Sequence, residues 1–325
     1  MHQGLSGKIV VITGASSGIG EATALAFAAE GAKLVLAARD LDAVQAVVDR
    51  CVATGAEALA VQVDVTDAAS VKALAERAVG FGGGVDVWFS NVGVGAVGLF
   101  HETPIEAHEQ VIRANLIGHM NDAHAAVPVF LQQQRGIFIN MISLGGFAAA
   151  PWAAAYSASK FGLRGFTEAL RGELTRYPDI HVCDVYPAFV DTPGIGHGAN
   201  YVGKALSAPP PVMDARRVAK AVVGLARRPR PGLTLGAPAF AVQLMHGIAP
   251  RSTAAAMDGF MRLWTRKGRP DPISDGNLFA PPADPGGIDG GLKRVNRKAA
   301  LAAGIVLGGA AALMIATHIT RPRRS

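Results

Sequence analysis

Cysteine is nearly absent. The chain has two in 325 residues, Cys51 and Cys183, which is too few for a disulfide framework and excludes a stapled secreted scaffold. Charge is also thin: 17% of residues are charged while half are hydrophobic. That balance can bury a core and excludes wholesale disorder. Met1 to Lys8 shows no basic stretch followed by an apolar run and a small-residue cleavage site, so no secretory signal is read there. No repeat of solenoid period is found. His101, His108, His119, His124 and His181 are scattered without metal-ligand spacing, and no metal is expected. The net charge of +6 would suggest a polyanion, but seven of the basic residues lie in 293–325, which has no acid. Residues 1–292 hold 24 Lys+Arg against 25 Asp+Glu, and no nucleic-acid partner is expected.

What is present alternates. Short apolar runs at Ile9–Ile12, Leu34–Ala37, Ala58–Val63, Val85–Phe89, Gly136–Ile142 and His181–Val185 read as buried strands. Helix-like stretches lie near 18–30, 40–53, 67–80, 104–133 and 155–177. That order predicts an α/β fold, a doubly wound parallel sheet with helices on both faces. After Pro187 the pattern loosens. Gly194 to Pro211 reads as a mobile loop rich in Gly, Ala and Pro. A basic helix around Asp214–Arg228 and a short strand near Leu233–Leu235 follow. The expected organisation is a single catalytic domain over 1–265, a Pro/Gly-rich and basic linker over 266–298, a transmembrane helix over 299–319 and a basic tail over 320–325.

The transmembrane expectation rests on Ala299 to Thr317, a stretch without charge that would span about 28 Å as a helix. Basic residues flank it on both sides, as suits headgroup contact. Its hydrophobicity is modest, because eight of the 19 residues are Ala and three are Gly. A helix packed on the catalytic domain is the alternative.

Val10 to Gly20 runs from a strand into a glycine-rich turn and a helix. Gly14 permits a tight exit from the strand, and Gly18 and Gly20 permit close approach of backbone to a pyrophosphate and of helix to strand. The helix N-terminus supplies N–H groups and partial positive charge to the phosphates. Placed after the first strand of an alternating chain, this is a dinucleotide site. The second strand ends Leu36-Ala37-Ala38-Arg39-Asp40. Ala38 stands where an acid would hold the ribose 2′-hydroxyl of NAD, and Arg39 suits a 2′-phosphate, so NADP(H) is favoured over NAD(H). The competing reading makes Arg39 a solvated residue paired with Asp40.

Tyr156 and Lys160 stand at i and i+4 of a predicted helix, hence on one face. A cation beside a phenol favours its ionised form, and such a pair can donate a proton to a carbonyl oxygen or take one from an alcohol. Ser143 follows the strand ending at Ile142 and can hydrogen-bond an oxygen on which charge develops; otherwise it is a turn or cap serine.

Together Thr13-Gly14-x-x-x-Gly18-x-Gly20, Ser143 and Tyr156-x-x-x-Lys160 resemble the short-chain dehydrogenase/reductases over about residues 7–240. The resemblance implies one Rossmann-like domain with about seven parallel strands. It implies catalytic roles for Asn115, Ser143, Tyr156 and Lys160, with Asn115 holding a water in the proton relay. For the cofactor it implies Gly14, Ser16, Ser17, Gly18, Ile19, Gly20, Arg39, Asp64, Val65, Asn91, Gly93, Tyr156, Lys160, Pro187, Val190 and Thr192. Val92 and Ala188 depart from the family's alanine and glycine at those positions, but neither is a reacting group.

The expected activity is NADP(H)-dependent interconversion of a carbonyl and an alcohol, acting on CH–OH donors. The substrate is expected to be lipophilic, given the apolar loop and tail. A homodimer or homotetramer is implied. The catalytic domain is expected in the cytoplasm, tethered to a membrane by the C-terminal helix. The alternative is a membrane-tethered NADP(H)-binding regulatory module without turnover, which would be indifferent to Tyr156→Phe.

Overall fold

Every residue of the first strand, β1 (Ile9–Thr13), is buried, as an apolar strand between two helical layers must be. The computed structural model describes residues 4–208, 211–236, 245–266, 268–284 and 286–292. The strands that follow β1 are β2 (Lys33–Ala38), β3 (Ala58–Gln62), β4 (Val87–Ser90), β5 (Ala96–Val97), β6 (Gly136–Met141), β7 (Ile180–Pro187), β8 (Val190–Asp191), β9 (Ala199–Asn200), β10 (Met213–Asp214) and β11 (Gly232–Leu235). Seven of them form one sheet in the order β11-β7-β6-β4-β1-β2-β3, and all its pairings are parallel. The order reverses between β1 and β4, and in open α/β sheets that crevice is where ligands bind.

Alternation along the strands divides the core. Val10, Ile12, Leu34, Leu36, Val87 and Phe89 pack with helices α1 (Gly18–Ala28), α2 (Leu41–Ala53) and α7 (Ala215–Arg227). Val11, Val35, Trp88 and Phe138 face the other way, onto α3 (Ala68–Gly82) and α5 (Gly118–Gln133). This is the period-2 geometry of a strand covered on both sides. Capping follows local chemistry: the carboxylates of Asp40, Asp67 and Asp214 accept hydrogen bonds from Ala43, Ala69 and Arg216 N–H groups and start α2, α3 and α7. The main chain of Gly83, at φ 78°, ends α3.

Three expectations change. The helical stretch over 104–133 runs without a break from Ile105 to Gln133, but a π-turn at Arg113–Ile117 lies within it, between α4 (Ile105–Ile112) and α5. Inside that turn, the Asn115 amide accepts from Val94 N–H and donates to Val94 C=O, both at 2.8 Å. An inserted residue of this kind re-aims side chains within a helix. The linker expectation changes next. Residues 268–284 and 286–292 are packed on the domain: Asn200 and Ser274 exchange backbone hydrogen bonds, and Leu278 is fully buried. Residues 293–298 lie outside the described residues.

The third correction concerns the membrane. Among the described residues no helix is long and apolar enough to cross a bilayer. The final described helix, α8 (Pro250–Arg266), carries Arg251, Asp258, Arg262 and Arg266 along its length. The expected transmembrane helix, and the anchored location inferred from it, are therefore no part of the described fold. Segments 299–319 and 320–325 lie outside the described residues.

The turn after β1 is the tightest contact near the site. A Cβ on Gly20 would lie 2.0 Å from the carbonyl oxygen of Gly14, and the backbone there has nowhere to move. Gly20→Ala is expected to destabilise the fold by about 1–3 kcal/mol, read as a shifted midpoint in urea unfolding, and to displace the start of α1.

Candidate active site

The C-terminal ends of β1, β4, β6 and β7 open into one cavity of about 1270 Å³. At one end it is lined by Arg39, Asp40, Asp64 and Val65; its middle is lined by Gly14, Ser16, Ser17, Gly18 and Ile19. Asn91, Gly93, Pro187, Val190 and Thr192 line it further along, with Ser143, Tyr156 and Lys160. Beyond them lies an apolar lobe with Leu206, Met245, Met257 and Met261 on its wall. Two of the expected site residues, Gly20 and Asn115, are not on the cavity surface.

The glycine-rich turn is shaped by three missing side chains. Gly14 (φ 67°) approaches the Val92 backbone, where a Cβ would sit 3.2 Å away. Gly18 (φ 56°) leaves 3.1 Å between its notional Cβ and that of Thr192. Gly20 clears Gly14 itself. The Asn91 amide donates to Gly14 C=O at 3.1 Å and fixes the turn to the end of β4. Ser17, the N-cap of α1, makes no side-chain cap bond, and the first turn of the helix borders the cavity. A cleft of this length, with a glycine-shaped helix N-terminus at its middle, fits a dinucleotide.

At the adenosine end Asp64 is exposed, and its carboxylate accepts from the Thr66 N–H and hydroxyl at 2.9 and 2.8 Å. Arg39 is not paired with Asp40, as the competing reading had it. Its guanidinium donates to the carbonyls of Asn277 (2.7 Å), Leu278 (3.1 Å) and Ala280 (3.3 Å). Asp40 instead caps α2.

At the other end, helix α6 (Ala154–Glu173) carries Tyr156 and Lys160. The Lys160 ammonium lies 5.8 Å from the centre of the Tyr156 ring and donates to Met141 C=O at 3.1 Å. Lys160 is 2% exposed, and burial pulls its pKa down to about 7. Burial raises the Tyr156 phenol, while a hydrogen bond with the Ser143 hydroxyl works the other way. The Ser143 oxygen also accepts from Gly145 N–H at 3.1 Å, so it is both a turn serine and a group on the cavity wall. Asn115 spends its amide on the Val94 backbone. Its side chain ties the loop after β4 to the π-turn, donates to the Ser159 hydroxyl of α6 at 3.4 Å, and does not line the cavity.

The sequence profile described as short chain dehydrogenase matches residues 8–197. The chain belongs to that family. This dehydrogenase is 31% identical over 265 residues to the uncharacterized oxidoreductase YxnA of Bacillus subtilis, covering 79% of this chain and 73% of that one. Among solved structures it resembles an alcohol dehydrogenase from the archaeon Thermococcus sibiricus complexed with 5-hydroxy-NADP, at TM-score 0.62 and 27% identity, over 70% of this chain and 95% of that one. It also resembles a metagenomic short-chain oxidoreductase in complex with NADP, at TM-score 0.61 and 30% identity, over 72% and 98% of the two chains. The chain is thus an NAD(P)-dependent oxidoreductase acting on CH–OH donors.

Sequence reasoning missed the support beneath the dehydrogenase's site. Asp122, fully buried in α5, accepts from the Thr13 and Ser90 hydroxyls at 2.7 and 2.6 Å, tying the ends of β1 and β4 together. His119, one turn before it, sits between the Asn140 amide and Val92 C=O. Burial, and then the Lys160 charge, lower its pKa to about 4. A neutral ring donates from one nitrogen only, and a half-turn of the Asn140 amide supplies the other bond. No motif flagged either residue, since isolated polar residues on a helix ordinarily face water. The methionines of the apolar lobe gave no signal either, because α8 follows the segment where strand–helix alternation had ended.

Burial pushes the Asp122 carboxyl up to about 7, against the Ser90 and Thr13 hydrogen bonds. A carboxyl raised in the folded state binds its proton more tightly there than in the unfolded chain. Its stabilising contribution is complete below the unfolded value near 4 and is lost as pH rises to about 7. Asp122→Asn should therefore lack that decline. Between pH 4 and pH 8 its stability relative to the wild type is expected to rise by an amount on the order of 2–4 kcal/mol, measured by denaturant unfolding at stepped pH.

Proposed function

We propose that this dehydrogenase interconverts a carbonyl and an alcohol on an apolar substrate, using NADP(H) in preference to NAD(H). The observation that carries the reading is the junction in the cavity. Ser143, Tyr156 and Lys160 stand where the dinucleotide cleft meets a lobe walled by Leu206, Met245, Met257 and Met261. A flexible thioether lining accepts varied apolar shapes, and the only polar groups needed there are those that handle one oxygen. NADP(H) is supported by Ala38 and Arg39 at the end of β2, and by the NADP bound in one structural neighbour.

Bound at the cleft, the nicotinamide supplies or accepts the hydride. Every other step belongs to side chains. The Tyr156 hydroxyl gives a proton to the substrate oxygen in reduction and takes it back in oxidation. A buried ammonium beside the phenol favours its ionised form, which is the work of Lys160. Ser143 donates a hydrogen bond to the same substrate oxygen and steadies charge as it develops. Asn115 is a positioning residue, holding the loop at Val94 that lines the cavity. Gly14, Ser16, Ser17, Gly18 and Ile19 would hold the pyrophosphate, with Asp64 and Val65 near the adenine and Pro187, Val190 and Thr192 near the nicotinamide. The exposed apolar residues Ile105, Ile117, Met120 and Phe161 on α4 to α6 support pairing of subunits into a dimer or tetramer, which sedimentation would test.

The deciding experiment follows NADPH absorbance with carbonyl substrates of increasing apolar size, beside Tyr156→Phe. Turnover in the wild type should fall by about 10²–10⁴-fold in the variant, while NADPH still binds. If NADPH binds but all carbonyls, and the matching alcohols with NADP⁺, stay inert, the module without turnover becomes the better reading. In the apolar lobe, Met257→Gln is expected to raise KM for the largest substrates about tenfold. Small carbonyls should be little affected.

A further inference from the structure

Residues 268–292 form no long helix or strand among those described, yet they are bonded along most of their length. Ala205 N–H donates to Arg269 C=O, and Asn200 and Ser274 exchange bonds of 2.8 and 3.0 Å. The fully buried Leu278 plugs a pocket with Val94, Val111 and Ala114. The segment then crosses the adenosine end and returns to the phosphate turn. There Gly18 N–H donates to Gly287 C=O at 2.9 Å, Gly290 and Leu292 N–H groups donate to Asp191, and Asp289 holds Arg216 in a two-point ion pair. Two glycines permit this path: a Cβ on Gly276 (φ 51°) would lie 2.3 Å from His197 C=O, and one on Gly290 2.2 Å from Thr192 C=O. The result is a strap over the cofactor cleft.

The strap holds the group that a 2′-phosphate would require. Three carbonyls take both terminal nitrogens of Arg39, so the outer edge of the guanidinium is already filled. A phosphate recognised by arginine is usually gripped at two points, by bonds about twice as strong as those to neutral carbonyls. The two acceptors cannot both have that edge. The contact at Gly287 meets the pyrophosphate end, which is the same in both dinucleotides, so any difference between them isolates Arg39.

We propose that Arg39 is the latch of this strap, and that a 2′-phosphorylated dinucleotide releases it by taking the guanidinium while NAD(H) leaves it fastened. The inference rests on the NADP(H) reading above and adds a regulation of the same site. Because the strap pairs with residues 200–205, and Lys204, Ala205 and Leu206 line the cavity, release at Arg39 loosens the wall of the substrate lobe. The cofactor's extra phosphate thereby reports its arrival to the place where the substrate enters.

Hydrogen exchange on the full chain tests this without turnover. Peptides spanning 274–282 are compared under saturating NADP⁺ and NAD⁺, and under adenosine 2′,5′-bisphosphate and 5′-AMP. Exchange is expected to be about tenfold faster with the 2′-phosphorylated member of each pair. Leu278→Ala, which loosens the plug, should tighten adenosine 2′,5′-bisphosphate by about fivefold and leave 5′-AMP unchanged. The exposed Asp289→Asn should shift affinity the same way by a smaller factor, and it keeps the test open if Leu278→Ala does not fold. Equal or slower exchange with NADP⁺ than with NAD⁺ overturns the latch while leaving the NADP(H) reading standing. Failure of every dinucleotide and fragment to bind overturns both.

Discussion

Three hydrogens in place of side chains hold this site together. Gly14 lets the turn after β1 touch the loop after β4, Gly18 lets it touch Thr192 in the loop after β7, and Gly20 lets α1 begin against Gly14 itself. Three loops from separate parts of the chain converge on one turn because nothing projects from it. A methyl group at any of these points would push apart elements that the cavity needs adjacent. The direction of α1, the floor of the cleft and the place where the strap returns to Gly18 all derive from that convergence.

Beneath the turn the solution is polar. Asp122 gathers the hydroxyls of Thr13 and Ser90, and His119 spans Asn140 and Val92. Burial raises the Asp122 carboxyl and lowers the His119 imidazole, and His119 is close enough to Lys160 to feel its charge. A neutral His119 leaves the Lys160 ammonium to interact with the Tyr156 phenol and with what the cavity receives. Cys51 and Cys183 are buried as well, and burial pushes both thiols up to about 11; they are packing residues.

Much of this was legible in the sequence. The seven sheet strands stand out as apolar runs because a parallel sheet covered on both faces leaves no room for polar alternation. The glycine spacing and the Tyr156/Lys160 pair announce themselves because each requires a specific backbone or helical separation. The π-turn at Asn115 did not, since residues 104–133 have helical character throughout and the insertion is set by a tertiary contact with Val94. The strap was read as a linker for a related reason. Its Pro, Gly and Asp residues have no periodicity, and it is held by backbone groups bonded to Arg39, Asp191 and Asn200 rather than by an apolar face. Hydrophobic pattern reading cannot register order of that kind.

The position of the strap in the chain sets an order of events during synthesis. The seven-stranded sheet is complete by Leu235, while the residues that close over Arg39 and Gly18 come from 268–292. As the chain is made from its N-terminus, the glycine turn, Asp64 and Tyr156 can assemble before the strap exists. A nascent chain therefore passes through a stage in which the sheet end of its cleft can form uncovered, before the strap's Asn277, Pro281 and Pro282 complete the lining. Any dinucleotide bound at that stage has met no strap, whereas one entering the finished protein must contend with a fastened one.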